Sequence, residues 1–338
     1  MKKLISLICV LAMVLALAAC GSSAPAAATE APAASTEAPA EDVSADKTFV
    51  VGICQLVQHP ALDAATQGFK DALTEALGDK VTFQEQNASG DSATCSLICN
   101  QFVSDEVDLI MANATASIQA AASATNTIPI LGTSITDYGV ALGVDNWTGV
   151  SGTNISGTSD LAPLDGQAAM IQELFPDAKT IGLLYCSGEP NSIFQADSME
   201  ALLTDKGYSV ERYTFADSND VSSVTANACS NSDVLYIPTD NTAASCTEAI
   251  NNVALSAGIP IVAGEEGLAS GCGVATLSIS YYDLGRATGE MAAEILTEGA
   301  DISTMEVRFA PAFTKEYNAD ICEALNITVP EDYVAIAK

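Results

Sequence analysis

The chain has 338 residues, and its 43 Asp and Glu residues far outnumber its 12 Lys and Arg, for a formal net charge of −31 at pH 7. So acidic a surface repels polyanions, which argues against nucleic acid as a partner. Hydrophobic residues make up 49% of the chain and aromatic residues 6%, a composition that fits an α/β protein rich in Ala and Val.

Residues 1–19 predict an export signal. Lys2 and Lys3 precede an apolar run, and small residues then lead to Cys20. The run is shorter than the ~20 residues that a membrane-spanning helix needs. The segment resembles a bacterial lipoprotein signal, which implies removal of residues 1–19 and acylation of Cys20. We therefore expect the mature chain outside the cytoplasm, anchored to the cell membrane through its N-terminal lipid.

Residues 20–46 predict a disordered linker. After Cys20 they consist almost entirely of Ala, Pro, Ser, Thr, Glu and Asp, which cannot bury an apolar face. Prolines also interrupt any helix in the Ala-rich part. Residues 47–338 are then numerous enough for two lobes, because single hydrophobic cores stop growing near ~250–300 residues.

Short apolar runs alternate with helical patterns from residue 48 onward. Predicted strands are 48–53, 80–84, 107–112, 128–131, 180–185, 208–213, 233–237 and 259–262. Predicted helices are 62–77, 92–103, 116–125, 165–174, 192–206, 221–228 and 242–257. Apolar strands joined by helices indicate a parallel sheet covered on both faces. Because this pattern runs twice, with a Gly/Ser/Thr-rich connection at 149–157, the sequence predicts an α/β fold with two doubly wound parallel-sheet lobes around a cleft.

The sequence gives little support for catalysis or metal binding. The chain has no G-x-S-x-G, Walker A or G-x-G-x-x-G motif, so we expect no enzyme activity and no cofactor. His59 is the single histidine and no C-x-x-C pair is present, so no metal site is expected. Most of the eight cysteines after Cys20 lie in apolar patterns, which predicts buried free thiols.

Four segments carry a family resemblance: Gln58–Asp63, Tyr185–Ser192, Pro238–Thr242 and Tyr281–Gly289. Together they resemble the tryptophan- and aromatic-amino-acid-binding proteins of bacterial ABC importers, which have the type I periplasmic-binding-protein fold. The resemblance implies a monomer that captures a small molecule by lobe closure and delivers it to an ABC permease with its ATPase subunits.

The resemblance also implies three crossings between the lobes. We place them near Ser159, Tyr281 and Pro311. The N-terminal lobe would then comprise residues 47–159 plus 282–310, and the C-terminal lobe residues 160–281 plus 311–338.

The loops that follow predicted strands are where ligands of open α/β sheets bind. These loops are 54–62, 113–118, 132–138, 186–192, 238–243 and 263–267. They contain no Lys or Arg, but they carry Asp137, Glu189, Asp240, Glu265 and Glu266. A phosphorylated or dicarboxylate ligand would need a Lys or Arg partner. The loops therefore predict a neutral, zwitterionic or cationic ligand.

For an amino acid, we assign the ammonium group to Asp240 with Thr239 or Asn241. The ligand carboxylate can be held by backbone N–H groups and hydroxyls at helix starts. Candidates for that role are Thr115, Ala116, Ser117, Thr133, Ser134, Asn191 and Ser192. Further candidate contacts are Gln58, His59, Tyr185, Glu189 and Glu265. The Ser, Thr and Asn residues could equally be ordinary helix caps.

Two alternatives stay open from the sequence. A sugar or nucleoside is compatible with the Asp and Asn side chains of these loops, although the loops hold few aromatic residues for stacking. A sensing subunit that reports ligand occupancy to a membrane receptor would show the same pattern as a transport protein.

Overall fold

The computed structural model describes residues 47–310 and 312–337, all of which belong to one compact unit. The signal peptide, Cys20 and the linker that the sequence predicts lie outside the described residues, as does Pro311. Within the described part, no helix combines the length and the apolar character needed to cross a membrane.

Strands and helices alternate along the chain. The strands are β1 (Phe49–Gln55), β2 (Val81–Asn87), β3 (Leu109–Asn113), β4 (Ile130–Ile135), β5 (Ile155–Ser159), β6 (Thr180–Cys186), β7 (Ser209–Phe215), β8 (Val234–Ile237), β9 (Ile261–Ala263), β10 (Ala275–Ser278), β11 (Arg308–Phe309), β12 (Thr314–Tyr317) and β13 (Val334–Ala335). The helices are α1 (Pro60–Leu77), α2 (Ser92–Ser104), α3 (Thr115–Ala124), α4 (Tyr138–Leu142), α5 (Leu164–Leu174), α6 (Pro190–Asp205), α7 (Val221–Asn231), α8 (Asn241–Ala244), α9 (Thr247–Ala257), α10 (Glu266–Gly271), α11 (Tyr281–Glu298) and α12 (Ala319–Leu325). Gly78–Lys80 and Ile302–Thr304 form short 3-10 helices.

The strands form two sheets, which confirms the predicted α/β fold with two parallel-sheet lobes. The first sheet has the order β11-β5-β4-β3-β1-β2, and its strand pairs are parallel. The second has the order β13-β12-β10-β9-β8-β6-β7, in which β10 and β12 pair antiparallel. The chain passes from the first sheet to the second after β5, returns after β10 and passes again between β11 and β12.

The central strands are buried on both faces, as expected for a parallel sheet covered by helices. Every residue of Leu109–Asn113 and of Ile130–Ile135 is buried in the first sheet, and every residue of Val234–Ile237 in the second. Parallel strands end at the same sheet edge, so the loops after them gather where the two sheets face each other. The packing of apolar strands thus assembles the interlobe surface from residues that are far apart in sequence.

Helix α11 packs along α1, although it follows a strand of the second sheet. Glycines permit this close approach: a Cβ at Gly285 would lie 1.9 Å from the carbonyl oxygen of Ala65, and one at Gly68 would lie 2.0 Å from that of Tyr282. The contact fixes the start of α11, and with it Tyr281, beside the space between the lobes.

One predicted helix is two helices in the structure, so the prediction for 242–257 was wrong in this respect. Helix α8 ends at Ala244 and α9 begins at Thr247. Between them the Ser245 hydroxyl donates to the carbonyl of Thr242 at 2.8 Å. Such local hydrogen bonds from Ser compete with the regular helical pattern.

The Gly/Ser/Thr-rich connection also differs from the prediction. Ile155–Ser159, which overlaps it, forms β5 and is buried between β4 and β11. Gly157 has a φ of 141°, and a Cβ there would lie 2.0 Å from the carbonyl oxygen of Gly132. Only glycine fits this position, because the backbone conformation and the close neighbouring strand both exclude a side chain.

Candidate ligand-binding site between the two lobes

A small buried cavity lies where the two lobes meet. Its residues come from the start of α1, the end of β4, the loops after β4, β5, β8 and β9, the short helix α8, and the starts of α6 and α11. They are His59, Leu62, Ser134, Thr136, Asp160, Asn191, Thr239, Asp240, Asn241, Ala244, Glu265 and Tyr281. The cavity has a volume of about 10 Å³, roughly the space of one water molecule. A larger molecule can therefore reach it only when the lobes move apart.

Unpaired polar atoms concentrate around this cavity. Among the described residues, seven buried side-chain N or O atoms have no hydrogen-bond partner. Four of the seven belong to cavity residues: His59 Nδ1, Ser134 Oγ, Asp160 Oδ1 and Asn191 Oδ1. A buried polar atom without a partner costs about 1–3 kcal/mol. Their clustering indicates a site that is completed by a polar ligand.

Three of the four unpaired atoms are hydrogen-bond acceptors. The Asn191 amide donates from Nδ2 to the carbonyl of Thr239 at 3.0 Å, which leaves its Oδ1 free to accept. Asn241 likewise donates from Nδ2 to Glu189 at 2.8 Å, so its Oδ1 faces His59 and accepts from Nε2 at 3.3 Å. The proton of His59 is thus on Nε2, and its Nδ1 is an acceptor. Burial lowers the pKa of His59, which favours this neutral form.

Asp160 supplies the third acceptor, and the sequence interpretation did not select it as a site residue. Its side chain is 3% exposed; Oδ2 accepts from the Tyr281 hydroxyl at 2.9 Å, and Oδ1 is unpaired. Burial raises the pKa of Asp160 to about 6. Asp160 directly follows β5, so recognition of the strand Ile155–Ser159 would have placed it in a loop at the cleft.

Asp240 lies at the cavity, but both its carboxylate oxygens are engaged by backbone. Oδ1 accepts from the N–H of Ala243 and Oδ2 from that of Cys186, each at 2.7 Å. Burial, together with the charge of Glu189, raises the pKa of Asp240. Asp240 therefore caps α8 and joins it to the end of β6.

Both carboxylate oxygens of Glu265 are also engaged by backbone N–H groups, as those of Asp240 are. Its carboxylate accepts from the backbone N–H groups of Gly267, at 2.6 Å, and Leu268. Burial raises the pKa of Glu265 to about 7. Of the three carboxylates that line the cavity, Asp160 alone has an oxygen without a partner.

The structure brings about half of the predicted site residues to the cavity. His59, Ser134, Asn191, Thr239, Asp240, Asn241 and Glu265 line it. Ala116 and Glu189 line a wider cleft beside it. Gln58, Thr115, Ser117, Thr133, Tyr185 and Ser192 line neither space. Besides Asp160, the interpretation did not select Leu62 and Thr136, although both fall within its predicted loops 54–62 and 132–138. It also did not select Ala244 on α8 or Tyr281 at the start of α11.

Several of these outlying residues have structural partners. Ser117 packs between Cys54 and Cys95, with each sulfur 3.6 Å from its Oγ. The Tyr185 hydroxyl accepts from Arg212 at 3.3 Å. The Ser192 hydroxyl oxygen accepts from Nδ2 of Asn191 at 3.3 Å. These side chains support the loops that form the cavity.

The wider cleft adjoins the cavity at Asn241 and has a volume of about 370 Å³. The first lobe contributes apolar side chains, among them Leu56, Val57 and Ala116. The second lobe contributes loops after β6 and β7, including Glu189. Neither the cleft nor the cavity has a Lys or Arg among its lining residues.

The described residues also show the state of the cysteines and whether side chains are grouped to hold a metal ion. The eight cysteines of the described residues are free thiols, seven buried and Cys246 partly exposed, which confirms the prediction for most of them. No group of three or more His, Cys, Asp or Glu side chains within residues 47–310 and 312–337 is placed to hold a metal ion.

Residues 50–338 match the family model described as ABC transporter substrate binding protein. The chain belongs to this family. ABC substrate-binding proteins bind small molecules outside the cytoplasm, so the family confirms the predicted location outside the cytoplasm and the predicted binding of a small molecule.

Individual members of the family are similar to this substrate-binding protein over most of their length. The tyrosine-binding protein of Clostridioides difficile (strain R20291) is 38% identical over 280 residues, which cover 82% of this chain and 81% of that protein. The ABC domain from Streptococcus pneumonia in complex with L-Trp is 32% identical, with a TM-score of 0.80 over 84% of this chain and 97% of that one. These matches confirm the predicted family and fold.

A ligand-free, open structure of a substrate-binding protein with adhesive properties from Clostridium difficile allows a comparison of lobe arrangement. It is 37% identical and covers 86% of this chain and 100% of that one, yet its TM-score is only 0.66. The less identical L-Trp complex superposes better. In the present structure, the ring of His59 at the start of α1 contacts Asn241 of the second lobe directly.

Proposed function

We propose that this substrate-binding protein captures an α-amino acid, with an aromatic side chain preferred, and delivers it to an ABC permease without chemical change. The observation that carries the proposal is the group of three unpaired acceptors, on His59, Asp160 and Asn191, around one buried cavity. An ammonium group has three N–H donors and no acceptor, so it matches this group.

Asp160 is the anchor of the ligand ammonium in this proposal. Its Oδ1 is the free carboxylate oxygen of the cavity, and a charge-assisted hydrogen bond to it is stronger than a bond to a neutral acceptor. Ser134 Oγ can donate to the ligand carboxylate, as can the backbone at the start of α3, where Ala116 lines the wider cleft. Asp240 then supports the site through α8 rather than by direct contact.

The aromatic preference is supported by two observations. The relatives named above include a tyrosine-binding protein and a domain in complex with L-Trp. The wider cleft of about 370 Å³ adjoins the cavity, and its Leu56, Val57 and Ala116 offer apolar surface to a ring when the lobes enclose it.

The proposal also includes how the protein is held at the membrane and how its two lobes close. The lipid on Cys20 would hold a monomer at the membrane, with residues 20–46 as a spacer between lipid and folded body. Residues 47–159 plus 282–310 would move as one lobe and residues 160–281 plus 311–338 as the other, closing on the ligand by hinge motion.

Thermal unfolding against a panel of the twenty amino acids, common sugars and nucleosides tests the function. The protein is first unfolded and refolded, so that copurified ligand is removed. A ligand at 100 times its Kd adds about 2.7 kcal/mol of stability, which raises Tm by several degrees. We expect such a rise with Tyr, Trp or Phe. A rise with sugars or nucleosides alone would overturn the amino-acid proposal.

A further inference from the structure

The described residues that line the space between the lobes include several carboxylates but no Lys or Arg. Asp160, Asp240 and Glu265 line the inner cavity, and Asp91, Glu189 and Asp217 line the wider cleft. Some basic residues form ion pairs outside this space, as Arg212 does with Glu200 and Arg286 with Glu75. The site therefore offers an ionic partner to a positive charge on a ligand and none to a negative charge.

The unpaired hydrogen-bonding groups of the cavity likewise favour a ligand head that donates hydrogen bonds. The three free acceptors on His59, Asp160 and Asn191 require donors, whereas the Ser134 hydroxyl is the one unpaired side-chain group of the cavity that can donate. A ligand ammonium thus replaces several missing bonds at once. A ligand carboxylate finds neutral donors only, and it is buried close to three acidic side chains.

We propose that the cationic head contributes most of the affinity for the polar end of the ligand, so that the site also binds primary aromatic amines that lack a carboxylate, such as tyramine and tryptamine. The inference rests on the proposed function, because it uses the same cavity and the same anchor, Asp160. It adds a class of ligand that the amino-acid proposal does not include.

The two ends of an amino acid should differ strongly in their contribution to affinity. Removing the carboxylate gives up hydrogen bonds to neutral donors, a loss of about tenfold. Removing the amine leaves a buried carboxylate and two further acceptors without partners, and truncation of one member of such a charged pair costs a hundredfold or more. The order of affinity should be amino acid, then amine, with the deaminated acid far behind.

Isothermal titration calorimetry on the refolded protein tests this order with matched compounds. The tyrosine series is L-tyrosine, tyramine and 3-(4-hydroxyphenyl)propanoate; the tryptophan series is L-tryptophan, tryptamine and indole-3-propanoate. We expect an amine within about tenfold of its amino acid, and the acid weaker by a hundredfold or more.

The outcomes separate this inference from the proposed function. If an amino acid binds and its amine is weaker by more than a hundredfold, the inference is overturned and the proposed function stands. If the amines bind and the amino acids do not, the inference is supported and the amino-acid cargo is wrong. If neither class binds, both are wrong.

A pair of variants tests whether Asp160 binds the ammonium group of the amines. Asp160→Asn should weaken tyramine and tryptamine about a hundredfold and leave the deaminated acids unchanged or slightly improved. Asp145→Asn, at an exposed position, removes the same charge from the surface and should leave all affinities unchanged. Equal amine affinity in the two variants would contradict the role of Asp160.

Discussion

The Asp160→Asn substitution should stabilise the ligand-free protein even though it impairs binding. The pKa of Asp160 rises from 3.8 to about 6, and each pKa unit corresponds to about 1.4 kcal/mol, so ionising this carboxyl costs the folded protein about 3 kcal/mol. Asn cannot ionise, and its side-chain oxygen can still accept from the Tyr281 hydroxyl that now donates to Oδ2.

The direction of the pH dependence follows from the raised pKa. Because the folded state holds the Asp160 proton more tightly than the unfolded chain does, the stability due to that proton is complete below about pH 4 and is lost as the pH rises to about 6. The wild type and the Asn variant should therefore be equally stable near pH 4. At pH 8 the variant should be more stable by about 3 kcal/mol, or roughly 5–10 °C in Tm.

Denaturant unfolding at pH 4 and pH 8, followed by circular dichroism, measures this difference. Asp145→Asn is the matched control, since its side chain is exposed and should give no pH-dependent gain. A variant at Asp160 that is less stable than the wild type at pH 8, or equally stabilised at both pH values, would refute the reasoning. The first result would mean that the carboxylate has a favourable partner inside the protein, and the second that its pKa is not raised by folding.

Three further substitutions or labelling experiments test other parts of the structure. Asp240→Ala should lower stability by about 1–2 kcal/mol or more, because it leaves the N–H groups of Ala243 and Cys186 without acceptors; unchanged thermal unfolding would contradict the capping role. Gly285→Ala should cost about 1–3 kcal/mol by forcing α11 away from α1, whereas Gly188→Ala, whose Cβ would lie 3.7 Å from its nearest neighbour, should be nearly neutral in the same denaturation assay. With a thiol reagent, Cys246 should react rapidly in the native protein and the seven buried cysteines only after denaturation; rapid native labelling of several thiols would disprove the burial.

The sequence predicted the parts of the fold that depend on local pattern. The runs 233–237 and 180–185 are apolar after their first residues, Asp233 and Thr180, so they indicated buried parallel strands, and the structure has β8 and β6 there. Amphipathic stretches longer than two helical turns indicated helices equally clearly. The strand Ile155–Ser159 was missed because Ser, Gly and Thr carry no hydrophobic signal, and its burial depends on neighbours far away in sequence.

The sequence predicted the place of the candidate site in the fold. The structure changes the role of one of its carboxylates. His59, Ser134 and Asn191 were selected because they follow or begin elements at the predicted cleft, and the structure places an unpaired atom of each at the cavity. Asp240 was selected as the ammonium partner on its charge and loop position. Sequence alone could not reveal that its oxygens accept from Ala243 and Cys186, since Cys186 lies on a different strand.

By itself, the sequence determined the class of molecule, because its acidic composition, its two series of alternating strands and helices, and the lack of Lys and Arg in the loops at the cleft all depend on residue type and local order. Only the tertiary structure decided which carboxylate is free to meet a ligand. Asp160 and Tyr281 are 121 positions apart and meet where the chain passes between lobes. Whether a buried polar atom has a partner is a property of the packed molecule, because each partner comes from another element whose position the local sequence does not encode.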